Sequence, residues 1–235
     1  MRRDYRKWES PALGRDMELL VFGEHGSPVV VFPTSMGRFY QWEDFGMVAH
    51  LARRIEDGLL QLWCVDTVDG QSFYNKQIEP QERARRHVSY DRYLMDEVLP
   101  AIRRENNDPR LELLGASFGA FHAVALATRH PGTASRVIGL SGAYDAARWL
   151  NGVREDDAYF VNPLAFVPGL TDERLLGPLR DTEFVIATGV DDPNVAGSRE
   201  IVAALQDKDV PATLHLWNGW AHDWPYWKEM VDTFL

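Results

Sequence analysis

A serine flanked by small residues, followed later in the chain by an acidic pair and a histidine, offers the clearest chemistry in this sequence. Ser117 is the centre of Gly-Ala-Ser-Phe-Gly at 115–119, which fits the pattern G-x-S-x-G. In that pattern the serine lies on a sharp turn between a strand and a helix, where crowded backbone requires small neighbours. The pentapeptide predicts a nucleophilic serine, although a glycine-rich turn before a helix can also serve packing alone.

A serine hydroxyl needs partners to attack a carbonyl carbon at neutral pH. A neutral imidazole accepts its proton and later returns it to the leaving group, and a carboxylate fixes and stabilises the imidazole. His222 is the candidate base and Asp192 the candidate acid, with Asp191 as the alternative. The chain order serine, aspartate, histidine is typical of α/β-hydrolases. These residues together predict acyl transfer through an acyl-enzyme.

Short apolar segments alternate along the chain with helical patterns, and each candidate residue follows an apolar segment. Strands are predicted at 17–22, 29–32, 59–65, 111–114, 137–140, 184–187 and 212–217. Helices are predicted at 45–55, 83–104 with a break near Pro100, 120–129, 198–206 and 223–235. This alternation predicts an α/β protein with a largely parallel sheet covered on both faces. Loops beyond the carboxyl ends of such strands are where functional groups collect.

One segment departs from the alternation. Residues 144–180 contain Asn-Pro, Pro-Gly and Gly-Pro pairs and predict an irregular insertion over the sheet, either a small lid or one wall of a pocket. The chain has no internal repeat or linker. We therefore expect a single domain over 1–235.

Composition narrows the classes of function. The formal charge of −10 over 235 residues argues against nucleic-acid binding, and no apolar run is long enough to span a membrane. The basic N-terminus is not followed by the apolar region of a secretory signal, so we expect a cytoplasmic protein. The single cysteine, Cys64, lies in an apolar run and is predicted to be a buried strand residue.

The sequence offers no signature of a metal or cofactor site. The motif HExxH, a spaced cluster of His, Cys and acidic residues, and the nucleotide-binding glycine motifs are all missing. We therefore predict no metal and no cofactor. His122 and His215 are predicted to be structural, because the first lies within the helix after Ser117 and the second lies in mid-strand.

The chain resembles α/β-hydrolases of the esterase D-like group, which includes feruloyl esterases, formylglutathione hydrolases and mycolyltransferases. The segments that carry the resemblance are 29–37 (VVVFPTSMG), 115–120 (GASFGA), 130–131 (HP), 140–142 (LSG), 189–193 (GVDDP) and 219–224 (GWAHDW). The resemblance covers nearly the whole chain. The segments FPTSMGRFYQWEDFGM, SFYN and HDWPYW together resemble a compact bacterial esterase subgroup of undefined substrate. The resemblance implies the α/β-hydrolase fold. It also implies Asp192 as the acid, because the family's acid stands three residues after the glycine that ends its strand.

An acyl-transfer site also needs N–H donors for the developing oxyanion. In this architecture one donor is the backbone N–H after the nucleophile, here Phe118, and the other comes from the loop after an early strand. Within Pro33–Gly37 we expect Ser35, with Met36 as the alternative. The choice is open because Pro-Thr replaces the His-Gly pair of many relatives.

Aromatic residues are concentrated in two of the predicted site loops. Most are predicted to pack against the sheet, and Trp42, Trp220 and Trp224 are predicted to contact substrate. An aromatic wall favours aryl or acetylated-sugar esters of small or medium size. The alternatives are acyltransferase or thioesterase activity on the same residues, or a catalytically silent protein that binds a ligand. Arg38, beside the oxyanion loop, is predicted to form a surface ion pair in preference to binding a substrate carboxylate. The sequence predicts no oligomeric state.

Overall fold

A sheet of eight strands forms the centre of the computed structural model, which describes residues 1–154 and 156–235. The strands are β1 (Arg3–Ser10), β2 (Arg15–Phe22), β3 (Ser27–Phe32), β4 (Leu60–Val65), β5 (Glu112–Ala116), β6 (Arg136–Leu140), β7 (Glu183–Gly189) and β8 (Ala212–Trp217). Their order across the sheet is β1-β2-β4-β3-β5-β6-β7-β8. Only the pairs β1–β2 and β2–β4 are antiparallel. The predicted largely parallel sheet is therefore confirmed.

Helices cover both faces of this sheet. They are α1 (Gln41–Asp44), α2 (Met47–His50), α3 (Ala52–Glu56), α4 (Pro80–Tyr93), α5 (Leu99–Glu105), α6 (Phe118–Arg129), α7 (Asp157–Phe160), α8 (Pro163–Phe166), α9 (Glu173–Arg180), α10 (Val195–Gln206) and α11 (Trp224–Phe234). Side chains of β3 alternate between two cores: Val30 and Phe32 pack with α4, α5, α6 and α10, whereas Val29 and Val31 pack with α2, α3 and α11. This two-sided burial explains the continuous apolar run of the strand.

The edge strand β1 was not predicted from the sequence. It pairs with β2 from Arg3 opposite Phe22 to Ser10 opposite Arg15, and its side chains alternate between exposed and half-buried. Because an edge strand has one neighbour and reaches solvent, charged residues are tolerated along it and also discourage pairing with another chain. The charge conceals the alternation on which strand prediction depends.

Two predicted helices differ in detail. The segment 45–55 forms short helices interrupted at Gly46, which has φ 71°, and at Leu51. The predicted break near Pro100 is absent: the helix continues from Pro80 to Glu105 through a π-turn at Leu94–Val98. The wider turn lies just before the proline, where it accommodates a residue that lacks an N–H and crowds the preceding turn.

The segment 144–180 forms the predicted excursion, with residue 155 outside the described part. It consists of α7, α8, a 3₁₀ turn at Val167–Gly169 and α9, joined by irregular backbone. These elements pack against α4, α6 and α10. The excursion therefore borders the helix that follows Ser117.

Candidate active site

Ser117 occupies the turn between β5 and α6. Its φ of 55° and ψ of −119° are strained for a residue with a side chain, and its N–H donates to the carbonyl of Leu140 at 2.7 Å. A Cβ on Gly115 would lie 2.1 Å from the carbonyl carbon of Gly119, and one on Gly119 would lie 2.5 Å from the oxygen of Phe32. Close approach of the backbone thus explains both glycines of the pentapeptide.

The side chains of Ser117, His222 and Asp192 form one hydrogen-bonded series. His222 Nε2 lies 3.1 Å from Ser117 Oγ, and His222 Nδ1 lies 2.8 Å from Asp192 Oδ2. Asp192 follows β7 and His222 follows β8. Because β5, β7 and β8 are parallel, both loops lie at the carboxyl ends of the strands, where Ser117 follows β5. Asp191 is exposed. The geometry therefore favours Asp192 as the acid.

Asp192 is held as a carboxylate by its surroundings. The residue is only 1 % exposed, and this burial is the largest influence on its pKa, acting to raise it. The carboxylate accepts hydrogen bonds from His222, from the Asn194 N–H at 2.7 Å and from the Thr188 hydroxyl at 3.0 Å. Together these bonds lower the pKa by more than burial raises it. The pKa of Asp192 consequently lies below its usual value.

Ser141 joins the acid loop to the histidine loop. It follows β6 with φ 51°, and its hydroxyl donates to the carbonyl of Ala221 at 2.9 Å and accepts from Trp227 Nε1 at 3.1 Å. Its own carbonyl accepts from Asn194 Nδ2 at 3.2 Å. Sequence reasoning had singled out only the segment Leu-Ser-Gly at 140–142, without a role. The structure gives this serine the position of a link between the two loops.

The loop after β3 offers one N–H to a ligand. The Met36 N–H already donates to Asp69 Oδ2 at 2.9 Å, and the Thr34 N–H donates to Gln41 Oε1 at 2.8 Å. Within residues 1–154 and 156–235, the Ser35 N–H has no protein acceptor. Phe118 is the first residue of α6, so its N–H has no partner within the helix. Ser35 and Phe118 therefore both carry an N–H group without a protein acceptor in the described part of the chain.

A buried acidic group beneath this loop escaped the sequence analysis. Asp69 Oδ1 lies 2.9 Å from His122 Nε2, and both side chains are 1 % exposed. The other carboxylate oxygen holds the Met36 N–H. His122 is thus packed and hydrogen-bonded, as predicted. A lone aspartate in a polar loop has no spacing pattern that could have identified it.

The predicted aromatic contacts divide into one exposed ring and two buried ones. Trp220 is 51 % exposed and stacks on His222 with ring centroids 5.5 Å apart. The predictions for Trp42 and Trp224 are wrong. Trp42 is 1 % exposed and donates to the Phe32 carbonyl at 3.1 Å, and buried Trp224 packs between Trp42 and Phe45. Both rings fasten α11 to α1 and are not available to substrate.

Arg38 is engaged by carboxylates. Its Nε lies 2.8 Å from Asp66 Oδ1, and its Nη2 contacts Glu18. Arg38 thus forms an ion pair, as predicted, but the pair is not confined to the surface, because the Asp66 side chain is 0% exposed.

Two further features concern the described residues only. No group of three or more His, Cys, Asp or Glu side chains among them is arranged to hold a metal ion. None of the helices formed by these residues has the length and apolar character needed to cross a membrane.

Comparisons with known proteins indicate the family and the fold of this chain. Residues 10–233 match the model of the Esterase family, described as "Putative esterase". No functionally curated protein matches the chain significantly.

Similar solved structures include a ferulic acid esterase, which has a TM-score of 0.78 and 16% identity over 100% of this chain and 96% of that one. An S-formylglutathione hydrolase from Agrobacterium tumefaciens has a TM-score of 0.73 and 17% identity over 99% and 91%. FphF, a fluorophosphonate-binding serine hydrolase of Staphylococcus aureus, has a TM-score of 0.69 and 14% identity over 99% and 96%. This likeness establishes the predicted α/β-hydrolase fold.

Proposed function

The chain belongs to the Esterase family that its residues 10–233 match, and on this premise we propose that it hydrolyses carboxylic esters through an acyl-enzyme on Ser117. The observation that carries the proposal is the series of hydrogen bonds from Ser117 Oγ through His222 to Asp192, at 3.1 Å and 2.8 Å. A hydroxyl at this distance from an imidazole that is itself oriented by a carboxylate is an activated nucleophile.

The reaction follows from these positions. Ser117 Oγ attacks the ester carbonyl carbon while His222 Nε2 takes its proton, and Asp192 stabilises the imidazolium. The N–H groups of Ser35 and Phe118 donate to the oxyanion. Collapse of this intermediate breaks the bond to the alcohol, which leaves with the proton from His222. A water then attacks the acyl-enzyme by the same route, releasing the acid and restoring the serine.

We propose small or medium esters as substrates, with aryl and acetylated-sugar esters as the first candidates. Support comes from Trp220, whose half-exposed ring stacks on the proposed base and offers a flat apolar surface beside the reacting atoms. A preference for long alkyl esters in an initial-rate comparison with phenolic and acetylated-sugar esters would contradict this choice.

Labelling with a fluorophosphonate tests the nucleophile. We expect intact mass to show one adduct on the wild type and none on Ser117→Ala, and peptide mapping to locate the adduct at Ser117. Removing a nucleophile of this type lowers kcat by about 10⁴-fold or more. The matched control is Ser89→Ala on α4, which should label and turn over as the wild type does. Labelling at another residue, or equal turnover by Ser117→Ala, would overturn the proposal.

Thioesterase and acyltransferase activities use the same residues and are separated by substrate. Assays of an acetyl oxygen ester and the matching acetyl thioester, each with and without an alcohol acceptor, distinguish esterase, thioesterase and acyltransferase activity. We expect faster turnover of the oxygen ester and acetate as the main product in each mixture. A silent protein would give neither product nor adduct.

A further inference from the structure

A cavity of about 610 Å³ adjoins the candidate active site on the side of the 144–180 excursion. Its walls include the rings of Phe73, Tyr74 and Trp149. The Tyr74 hydroxyl donates to Ser35 Oγ at 2.7 Å, and the Tyr74 and Trp149 rings lie 5.3 Å and 4.7 Å from that of Phe118. Two wall residues of the cavity thus contact the side chains of Ser35 and Phe118, the residues that carry the proposed oxyanion donors.

Among the residues that the structure describes, three cationic ones and no acidic one line this cavity. Arg83 is committed to the fold, because its buried guanidinium donates to the carbonyls of Trp149 and Ile78. Lys76 and Arg148 are exposed, and neither has a carboxylate within 4.0 Å in the described part of the chain. They are two cations held beside the site with no acidic partner there.

Arg148 contrasts with Arg38, which is neutralised by Asp66 and Glu18. The Arg148 guanidinium instead lies 3.9 Å from the centroid of the Trp149 ring, where stacking on the aromatic face positions it without using its outward N–H groups. A net charge of −10 repels anions at long range, so a local pair of cations is what would bring one to this cavity.

We propose that this cavity binds an anionic group of the substrate, and that the preferred esters carry a carboxylate on a planar or aromatic part. Arg148 pairs with the carboxylate through two parallel N–H groups, Lys76 adds a second charge, and Trp149 and Tyr74 contact the ring that carries it. The assignment rests on the proposed ester hydrolysis, because it places the scissile carbonyl at Ser117.

Matched ester pairs test this specificity. The first pair places the charge in the alcohol part (4-acetoxybenzoate against 4-acetoxybenzamide), and the second places it in the acyl part (4-nitrophenyl hydrogen terephthalate against its neutral methyl ester). The measured quantity is the ratio of kcat/KM for the anionic ester to kcat/KM for the neutral ester. For at least one pair, this ratio should be about 10-fold lower in Arg148→Gln than in the wild type, because the variant loses a charged hydrogen bond near solvent. Lys76→Gln should lower the same ratio by a smaller factor. The ratio for the wild type should also fall as NaCl is raised, because salt screens exposed charges.

The control for net charge is Arg104→Gln, an exposed arginine in the last turn of α5, which should leave both ratios unchanged. Ratios in Arg148→Gln and Lys76→Gln equal to those of the wild type for both pairs would overturn the assignment.

A binding experiment separates failure of this subsite from failure of the proposed function. Calorimetry on Ser117→Ala needs no turnover, and we expect 4-hydroxybenzoate to bind at least 10-fold more tightly than 4-hydroxybenzamide, with the difference lost on adding Arg148→Gln. Equal binding of the two compounds would contradict the subsite even if Ser117 is labelled normally. Selective binding of the anion together with unlabelled Ser117 would preserve the subsite and contradict the esterase.

Discussion

Asp69 and His122 form a buried pair, with Oδ1 and Nε2 2.9 Å apart, that joins the helix after the nucleophile to the loop of the oxyanion donors. The join is completed by the second oxygen of the carboxylate, which holds the Met36 N–H at 2.9 Å. Because this bond occupies the Met36 N–H, the proposed second oxyanion donor is the N–H of Ser35. Asp69 is therefore expected to act through its neighbours, as a positioning residue.

Replacing Asp69 should therefore impair turnover more than substrate binding. We expect Asp69→Ala to lower kcat by about 10- to 100-fold with little change in KM, since a displaced oxyanion donor loses part of its effect. Asp69→Asn, which can still accept from Met36, should recover most of the loss. Steady-state kinetics with phenyl acetate measures both effects.

A second aspartate–histidine pair provides the control. Asp91 Oδ2 lies 2.7 Å from His130 Nε2. Asp91 belongs to α4 and His130 lies at the end of α6, away from the oxyanion loop. Asp91→Ala should lower the melting temperature without lowering kcat. A similar loss of kcat in both variants would mean that Asp69 only supports folding.

Substitution of the two neighbouring aspartates should separate their roles. Asp192→Asn should lower kcat by about 10³- to 10⁴-fold, because an amide cannot stabilise the imidazolium of His222 or fix its tautomer. Asp191→Asn should stay within about threefold of the wild type, as expected for an exposed surface residue. Turnover of one aryl ester by both variants is the measurement, and the reverse ranking would assign the acid to Asp191.

The pKa of Asp192 also predicts how stability depends on pH. Its folded-state pKa is lowered, because hydrogen bonds to the carboxylate outweigh the effect of burial. The stabilisation is therefore present above the ordinary aspartate pKa and is lost as the pH falls through the lower, folded-state value. The excess free energy of unfolding of the wild type over Asp192→Asn should decrease as the pH falls from about 5 to about 3, measured with urea.

Glu112 should show the opposite trend. Burial raises its pKa, with Arg136 acting against that effect, and the carboxylate oxygen Oε2 is buried without a hydrogen bond. Ionisation is therefore less favourable in the folded state. Relative to Glu112→Gln, the wild type should lose stability as the pH rises from about 4 to about 6, and a gain in relative stability over this range would contradict the assignment for Glu112.

The glycines of the elbow should be intolerant of a single methyl group. A Cβ on Gly115 meets backbone atoms of Gly119 and Ala120, so Gly115→Ala must push α6 away from β5. We expect this variant to be insoluble or to lack fluorophosphonate labelling. Gly197 in α10 is the matched control, since its Cβ would make only an ordinary contact, 4.0 Å from the backbone nitrogen of Tyr144. Gly197→Ala should stabilise the protein by about 0.5–1 kcal/mol through helix propensity.

The predictable parts of this molecule are those whose residue pattern forms the same structure in most surroundings. β8 was predicted at its observed bounds, because an apolar strand between turn residues forms in this way in many surroundings. The order of Ser117, Asp192 and His222 likewise follows from the topology of a parallel sheet. Trp42 was misplaced because nothing local distinguishes a ring that packs under a helix from one that lines a cavity. The burial of its loop is decided by α11, almost two hundred residues away in sequence.

The serine at the end of β6 determines which half of the active site can adapt. The Ser141 hydroxyl donates a hydrogen bond to the histidine loop and accepts one from α11, and the Ser141 carbonyl accepts one from the acid loop. The proposed acid and base therefore keep a fixed spacing, whatever occupies the cavity beside them. We therefore expect the accommodation of bulkier substrates to depend on the part of the cavity wall that the 144–180 excursion contributes. Variation of substrate range among similar chains is thus expected to concentrate in that wall, leaving the proton-transfer half unaltered.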